Sequence, residues 1–425
     1  MRANNDRGFA LILTLTLLGL LVLAVCSLSA LVKVNGQVGA VSSSQYKARQ
    51  NALIGFRMGL AELQHHAAAD GRVTGMAGVT GVLAHSLSTT RNWCGVWNDD
   101  GTFLAWITSG SQTTGAPALA SGVTPVNLVG SGVSGAGGAV GASSANSEHV
   151  VAGKIWIVAS ESPGSPGVSA RIGSYAFVAL DEGVKISAYS QPEHLAIAGL
   201  QPVLTSLSSK SAQGKLRLSI ETYSAKLPSI ISYEQLSVLP TPLVPLTQSV
   251  LQDNFHHVTL TAESLRGEFP VTGTLNLNTT SVFVWRSLLE TYNQAVGVTP
   301  ISRSDLATCA NALANGFSGS ASGKIAGSPF LSVDGFGGSS LLDANLPDYV
   351  TAADLIGAIG ALLTVRSDTF RLRAYGEAIN AVDGTTSEAT AYCEAILQRT
   401  PEITATGVGR KFVIRYFRWL GPDDL

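Results

Sequence analysis

Residues 8–32, GFALILTLTLLGLLVLAVCSLSALV, carry no charged side chain; Arg2, Asp6 and Arg7 precede them and Lys33 follows. At 1.5 Å rise per residue, residues 9–32 as a helix span about 36 Å, enough to cross a hydrocarbon core of about 30 Å. Such a segment is a retained anchor, a removed secretory signal or a core helix. A signal has an apolar run of roughly 7–15 residues before a small-residue cleavage site; this run is longer, although residues 24–30, AVCSLSA, do contain small side chains. A core helix of this length carries a polar stripe, and only Thr14, Thr16, Ser27 and Ser29 offer one. The expectation is a retained transmembrane helix over residues 9–33. Arg2, Arg7 and the terminal amine outweigh Asp6, so the positive-inside rule leaves the N-terminus cytoplasmic and sends the rest outward. Lys33 on the far side can snorkel to the interface.

The remainder must fold from what the anchor leaves. In 425 residues, 45% hydrophobic content supports one large or two medium domains. Charged residues make up only 13%, against a usual quarter, and there are 45 glycines. A low-charge exterior rich in Gly, Ser, Thr and Ala fits an extracytoplasmic β-rich protein better than a cytosolic enzyme. The net charge of −2 lacks the basic footprint of a nucleic-acid binder. Of the four cysteines, Cys26 lies in the anchor; Cys94, Cys309 and Cys393 are too far apart for a zinc pattern. Buried thiols are the expectation, with a Cys309–Cys393 disulfide as the alternative in an oxidising compartment.

Along the chain, residues 42–68 continue the helix, with Leu53, Phe56, Leu60 and Leu63 at helical spacing. Gly36 and Gly39 predict a bend or local melting. Residues 69–190 read as a β-rich head with a flexible loop over 109–147, residues 191–365 as a mixed helical and β insertion, and residues 366–425 as antiparallel strands. Residues 94–107 predict a hairpin turning at Asn98-Asp99-Asp100-Gly101. Residues 130–144 form a glycine-rich loop; no lysine or strand–helix frame makes it a phosphate loop. Residues 154–160 and 174–187 predict strands, the second folding into a tight hairpin at Asp181-Glu182-Gly183, whose acids serve the turn and face solvent. Prolines 228, 240, 242 and 245 break the pattern over 190–270. Residues 281–292 and 305–314 predict helices, with Thr280 or Ser281 capping the first. Residues 317–339 predict a loop. Thr351 and Asp354 form a capping-box pattern before an apolar face of Leu355, Ile359, Leu362 and Leu363. Strands are expected over 370–379, 388–399 and 411–420, with Asp383-Gly384 as a turn. Arg410, Lys411, Arg415 and Arg418 read as a solvated strand face, with an acidic partner as the alternative.

No Gly-x-Ser-x-Gly elbow, His-Glu-x-x-His helix or Cys-x-x-Cys pair occurs. His65-His66 and His256-His257 are adjacent pairs whose side chains diverge, so neither has metal-ligand spacing. Arg366-Ser367-Asp368, read as strand, alternates faces. No catalytic, cofactor-binding or metal residue is assigned, and the chain is not expected to be an enzyme.

The junction Arg7-Gly8-Phe9 opening a long apolar helix resembles the N-terminus of type IV pilin-like proteins. The resemblance implies a cut by prepilin peptidase between Gly8 and Phe9, with N-methylation of Phe9. Major pilins have a glutamate at the fifth mature position; here it is Leu13. That acid, costly in lipid unless paired, is thought to pair with a neighbour's terminal amine. Minor subunits of the K-type pseudopilin class of type II secretion, and similar pilus-assembly minor pilins, lack it and sit at or near a filament tip. Residues 175–186 (YAFVALDEGVKI), 274–289 (TLNLNTTSVFVWRSLL) and 365–374 (VRSDTFRLRA) resemble further elements of that class. The implied fold is α+β: a long N-terminal helix, half membrane-spanning and half amphipathic, packed on a globular head with an antiparallel sheet and inserted helices. The implied partners are the lipid bilayer, prepilin peptidase and other pilins or pseudopilins, with no nucleic acid and no cofactor. Calcium occurs in K-type pseudopilins, but its ligands have no residue-by-residue match here. The implied location is the bacterial inner membrane with a periplasmic head, or the cell surface within a filament. The alternative is a permanently anchored periplasmic binding or adhesion protein outside any filament.

Overall fold

A computed structural model describes residues 5–81, 89–129, 149–159, 170–187, 255–259 and 275–424, the last range less 294, 296, 318–321, 323, 326, 381, 406, 408, 422 and 423. In chain order the elements are α1 (Asn5–His66), β1 (Val73–Met76), β2 (Cys94–Trp97), β3 (Phe103–Trp106), β4 (Pro125–Val129), β5 (Val150–Gly153), β6 (Ile155–Ala159), β7 (Ala170–Asp181), β8 (Ile186–Ser187), β9 (Val258–Thr259) and β10 (Leu275–Asn276). Then follow α2 (Val282–Tyr292), α3 (Arg303–Gly316), α4 (Val333–Gly337), α5 (Ser340–Asn345), α6 (Ala352–Ile359), β11 (Leu363–Thr364), β12 (Thr369–Ile379), β13 (Ser387–Ile403) and β14 (Arg410–Leu420).

The architecture is α+β. A five-stranded antiparallel sheet in the order β14-β13-β12-β7-β6 carries α1 on one face. Along β12, Phe370, Leu372, Ala374 and Ala378 point to α1, where Ala48, Ala52, Phe56 and Leu63 complete the core. Alternation puts Arg371, Arg373, Tyr375 and Glu377 on the opposite face. Strands β1, β2 and β3 form a separate antiparallel sheet whose Trp97 and Trp106 rings meet edge to face at 5.5 Å.

Helices α2 to α6 enclose a second core around Trp285, Phe317, Phe330 and Phe336, with ring centroids 5.1–5.8 Å apart. Their starts follow capping chemistry: Ser281 accepts from Val284 N, Ser302 from Asp305 N and Ser332 from Gly335 N. Thr351 and Asp354 make the reciprocal capping box.

Several expectations change. Helical structure runs unbroken through Gly36 and Gly39, because the uninterrupted apolar run on one side and the docked segment on the other outweigh two weak helix formers. The α1 face on the sheet centres on the small residues Ala48, Ala52, Gly55 and Gly59, with Leu53 and Leu60 only half-buried. The turn at Asp181-Glu182-Gly183 is present but makes no hairpin: the chain leaves the sheet and Ile186 pairs in parallel with Val258. Pro125–Val129, inside the stretch expected to be a loop, is a strand paired with β5. Val333–Gly337, also expected to be a loop, is a short helix. All four cysteines are free; Cys309 lies in the helical core and Cys393 in the sheet core, so no bridge joins them. The glycine-rich 130–144 loop and the prolines 228, 240, 242 and 245 lie outside the described residues.

Candidate functional site

α1 has two halves with different surroundings. From Leu11 to Val41 its side chains are exposed, and the segment is long and apolar enough to cross a membrane. Three of its hydroxyls close onto the helix itself: Thr14 donates to Leu11 O, Thr16 to Leu13 O and Ser27 to Leu23 O, each at 2.9 Å, which lowers the cost of placing them in lipid. Gly8 lies within the helix; Phe9 is 69% exposed and Leu13 58%.

From Ser44 onward the helix docks. Ser44 Oγ donates to Glu388 Oε2 (2.7 Å) and Asn51 Nδ2 to Glu377 O (2.7 Å). Gln64 bridges to β14, donating to Arg410 O (2.8 Å) and accepting from Phe412 N (3.0 Å). At the far end Arg399 donates to Ala68 O through Nε (3.0 Å) and Nη2 (2.7 Å). Asp70 then gathers Arg399 and Arg410, and these hydrogen bonds, Arg410 first, hold its carboxyl well below the usual range. Arg366 joins through Asp70 O (2.7 Å), and Asp368 pairs with Arg399 (3.2 Å). Arg366 and Asp368 thus share this cluster while Ser367 between them turns to Thr74 and Asn276, in keeping with the alternation expected of the triplet, although the three residues precede the strand.

The outward side of the docked half carries an apolar line among the exposed charges of Lys47, Arg49 and Arg57. Tyr46, Ile54, Met58 and Ala61 fall on one exposed line at three- or four-residue spacing, with Gln50 its uncharged polar member. They lie opposite the Ala48–Ala52–Gly55–Gly59 stripe and continue the exposed Val34, Val38 and Val41.

On the sheet face away from α1, charge is buried. Glu182, expected in solvent, is enclosed and meets Lys185 Nζ (2.6 Å), Arg371 Nε (3.0 Å) and Thr259 Oγ1 (2.5 Å). Glu394 takes Arg371 Nη1 (2.7 Å), Arg373 Nε (2.8 Å) and Arg418 Nε (3.1 Å). Phe255 lies under Lys185, Arg371 and Arg373, with the Arg373 guanidinium 4.7 Å from its centroid. Desolvation pushes both carboxyls up, but Lys185 and Arg371 on Glu182, and Arg371 and Arg373 on Glu394, outweigh it and hold each at about 2. Asp181 meets no cation among the described residues: burial raises it to about 6, against hydrogen bonds from Ser367, Gly183 N and Thr74. Asn276 ties this node together, donating to Thr74 O (2.9 Å) and Ser367 Oγ (3.0 Å).

The basic residues of β14 are in part the solvated face expected of them, and Arg410 and Arg418 are also held by acids of this chain. Arg410 pairs with Asp70, Arg415 with Gln398 and Arg418 with Glu394; Lys411 and Arg415 are exposed, Lys411 lying 3.7 Å from exposed Glu402. His257 Nδ1 lies 2.8 Å from Ser281 Oγ, and the His65 and His66 rings stack edge to face. Among the described residues no group of three or more His, Cys, Asp or Glu could hold a metal. The period-two pattern of β12 and β13 marked this polar face; nothing local marked that other segments cover it.

No protein-family model and no curated protein matches the chain. Among solved structures it is similar to the crystal structure of the GspK-GspI-GspJ complex from the enterotoxigenic Escherichia coli type 2 secretion system, at a TM-score of 0.34 and 14% identity, over 60% of this chain and 85% of that chain.

Proposed function

We propose that this chain is a pilin-like minor subunit, held in the bacterial inner membrane by residues 9–32 and built into a type IV pilus or a type II secretion pseudopilus at or near its tip. Its work is assembly and subunit contact, without catalysis. Prepilin peptidase cuts between Gly8 and Phe9, Phe9 is N-methylated, and Leu13 stands where a shaft subunit has glutamate. The head lies in the periplasm and the N-terminus in the cytoplasm.

One observation carries this reading: a single 62-residue helix whose uncharged half projects free while its other half is fastened along a sheet. The outward line of Tyr46, Ile54 and Met58 extends the apolar surface past the membrane segment, as helix-to-helix packing between subunits requires. Mass spectrometry of the native protein tests it. The expected mature N-terminus is methylated Phe9; an N-terminus at Met1, or near Ala30, overturns it.

A further inference from the structure

We propose that the turn between β12 and β13, centred on residues 382–386, is a foot that rests in the phospholipid headgroup layer of the membrane α1 crosses; this rests on the anchoring read above. Leu372 packs at Gly59 and Gly376 at Ala48 and Ala52, so β12 runs along α1 toward its uncharged end. Ser44 meets Glu388 near the start of β13. From Glu388 the hairpin reaches at most about 13 Å further, the fully extended length to Gly384 at 3.3 Å per residue, and less because Asn380, Gly384 and Thr386 close the turn. Measured back along α1 from Ser44, that is about six to nine residues, which sets the turn level with residues 35–38, just past Lys33. Headgroups add roughly 5–8 Å to each side of the hydrocarbon, so the turn lies within that layer.

The turn is built to present an apolar group there. Val382 is 89% exposed, more than any other large apolar residue described, including those of the anchor. It is held out by a closed hydrogen-bond set: Val382 N donates to Asn380 Oδ1, Gly384 N to Asn380 O, and Thr385 N and Thr386 N to Asp383 Oδ1, each at 2.9 Å. Gly384 takes φ +63°, which the turn needs. A β-branched apolar side chain at the tip of a polar turn costs exposure in water and gains cover among glycerol esters. Lys33 on the adjacent helix matches lipid phosphate, and Asp383 matches a headgroup amine.

The test places a nitroxide on V382C in the full chain, with C26S removing the exposed native thiol, in vesicles of phosphatidylethanolamine with phosphatidylglycerol as the minority lipid. Labels on L20C and E402C report the anchor and the distal end of the head. The expected result is a collision rate with an aqueous nickel chelate several-fold lower at residue 382 than at residue 402, with oxygen access retained. Residue 382 as open to nickel as residue 402, with residue 20 immersed, overturns the foot and keeps the anchor. Residue 20 open to nickel overturns both. Residue 382 shielded from nickel and oxygen alike means a protein contact, and also overturns the foot.

Discussion

At the level of single residues, Asp181 and Glu182 are neighbours with opposite fates. Asp181, buried with no cation beside it among the described residues, has its pKa raised from 3.8 to about 6. The folded state therefore holds that proton more tightly than the unfolded chain. Its contribution is fullest below about pH 4 and falls by about 3 kcal/mol as pH rises to about 6. Glu182 and Glu394, lowered from 4.5 to about 2, act oppositely: their contribution is present above about pH 4.5 and lost as pH falls toward 2. Replacing Asp181 by Asn removes only the first dependence, so the deficit of D181N against wild type should shrink between about pH 5 and about pH 7.5. Urea unfolding of the full chain in detergent at both values checks this, and a constant deficit refutes it. E394Q removes the carboxylate that Arg371, Arg373 and Arg418 share, Arg371 keeping Glu182; a loss of about 3–5 kcal/mol is expected, read as a lowered Tm. The acids were visible in the sequence as turn formers. Their burial was not, because what covers a polar sheet face comes from segments distant in the chain.

At the level of elements, the helix–sheet contact depends on small residues. A Cβ on Gly376 would collide with the α1 backbone at Ala48 and Ala52. G376A should cost about 3 kcal/mol and speed hydrogen exchange in residues 48–56. Gly36 has nothing within 4 Å, so G36A should instead gain about 1 kcal/mol of helix propensity and slow exchange around that position. Caps were readable because they are local: Ser281 and the Thr351/Asp354 box act where their spacing puts them. The Asp181-Glu182-Gly183 turn was readable for the same reason. Its continuation was not, since a turn signal names no strand partner and Ile186 finds Val258 far along the chain. Of the apolar stripe expected for α1, Phe56 and Leu63 are buried on the sheet and Leu53 and Leu60 half-buried; the Ala and Gly that allow close approach between them carry no such signal in the sequence.

For the whole molecule, the outward line of α1 separates folding from assembly. I54E and M58E change exposed positions, so the head's stability should stay within about 0.5 kcal/mol of wild type. In the proposed role they should reduce incorporation into filaments, scored by immunogold labelling or by co-purification with other pilins. Unchanged incorporation would leave this surface without that role.

The sequence alone determined the long uncharged helix, the caps, the hairpin at residues 94–107 and the C-terminal strands, because periodicity and turn chemistry act over a few residues. Tertiary structure alone decided that β7 joins β12 across nearly two hundred residues, that paired charges fill the far face of that sheet, and that an apolar valine stands at its tip. Those outcomes depend on which distant surfaces exclude water from one another, and no local spacing encodes that.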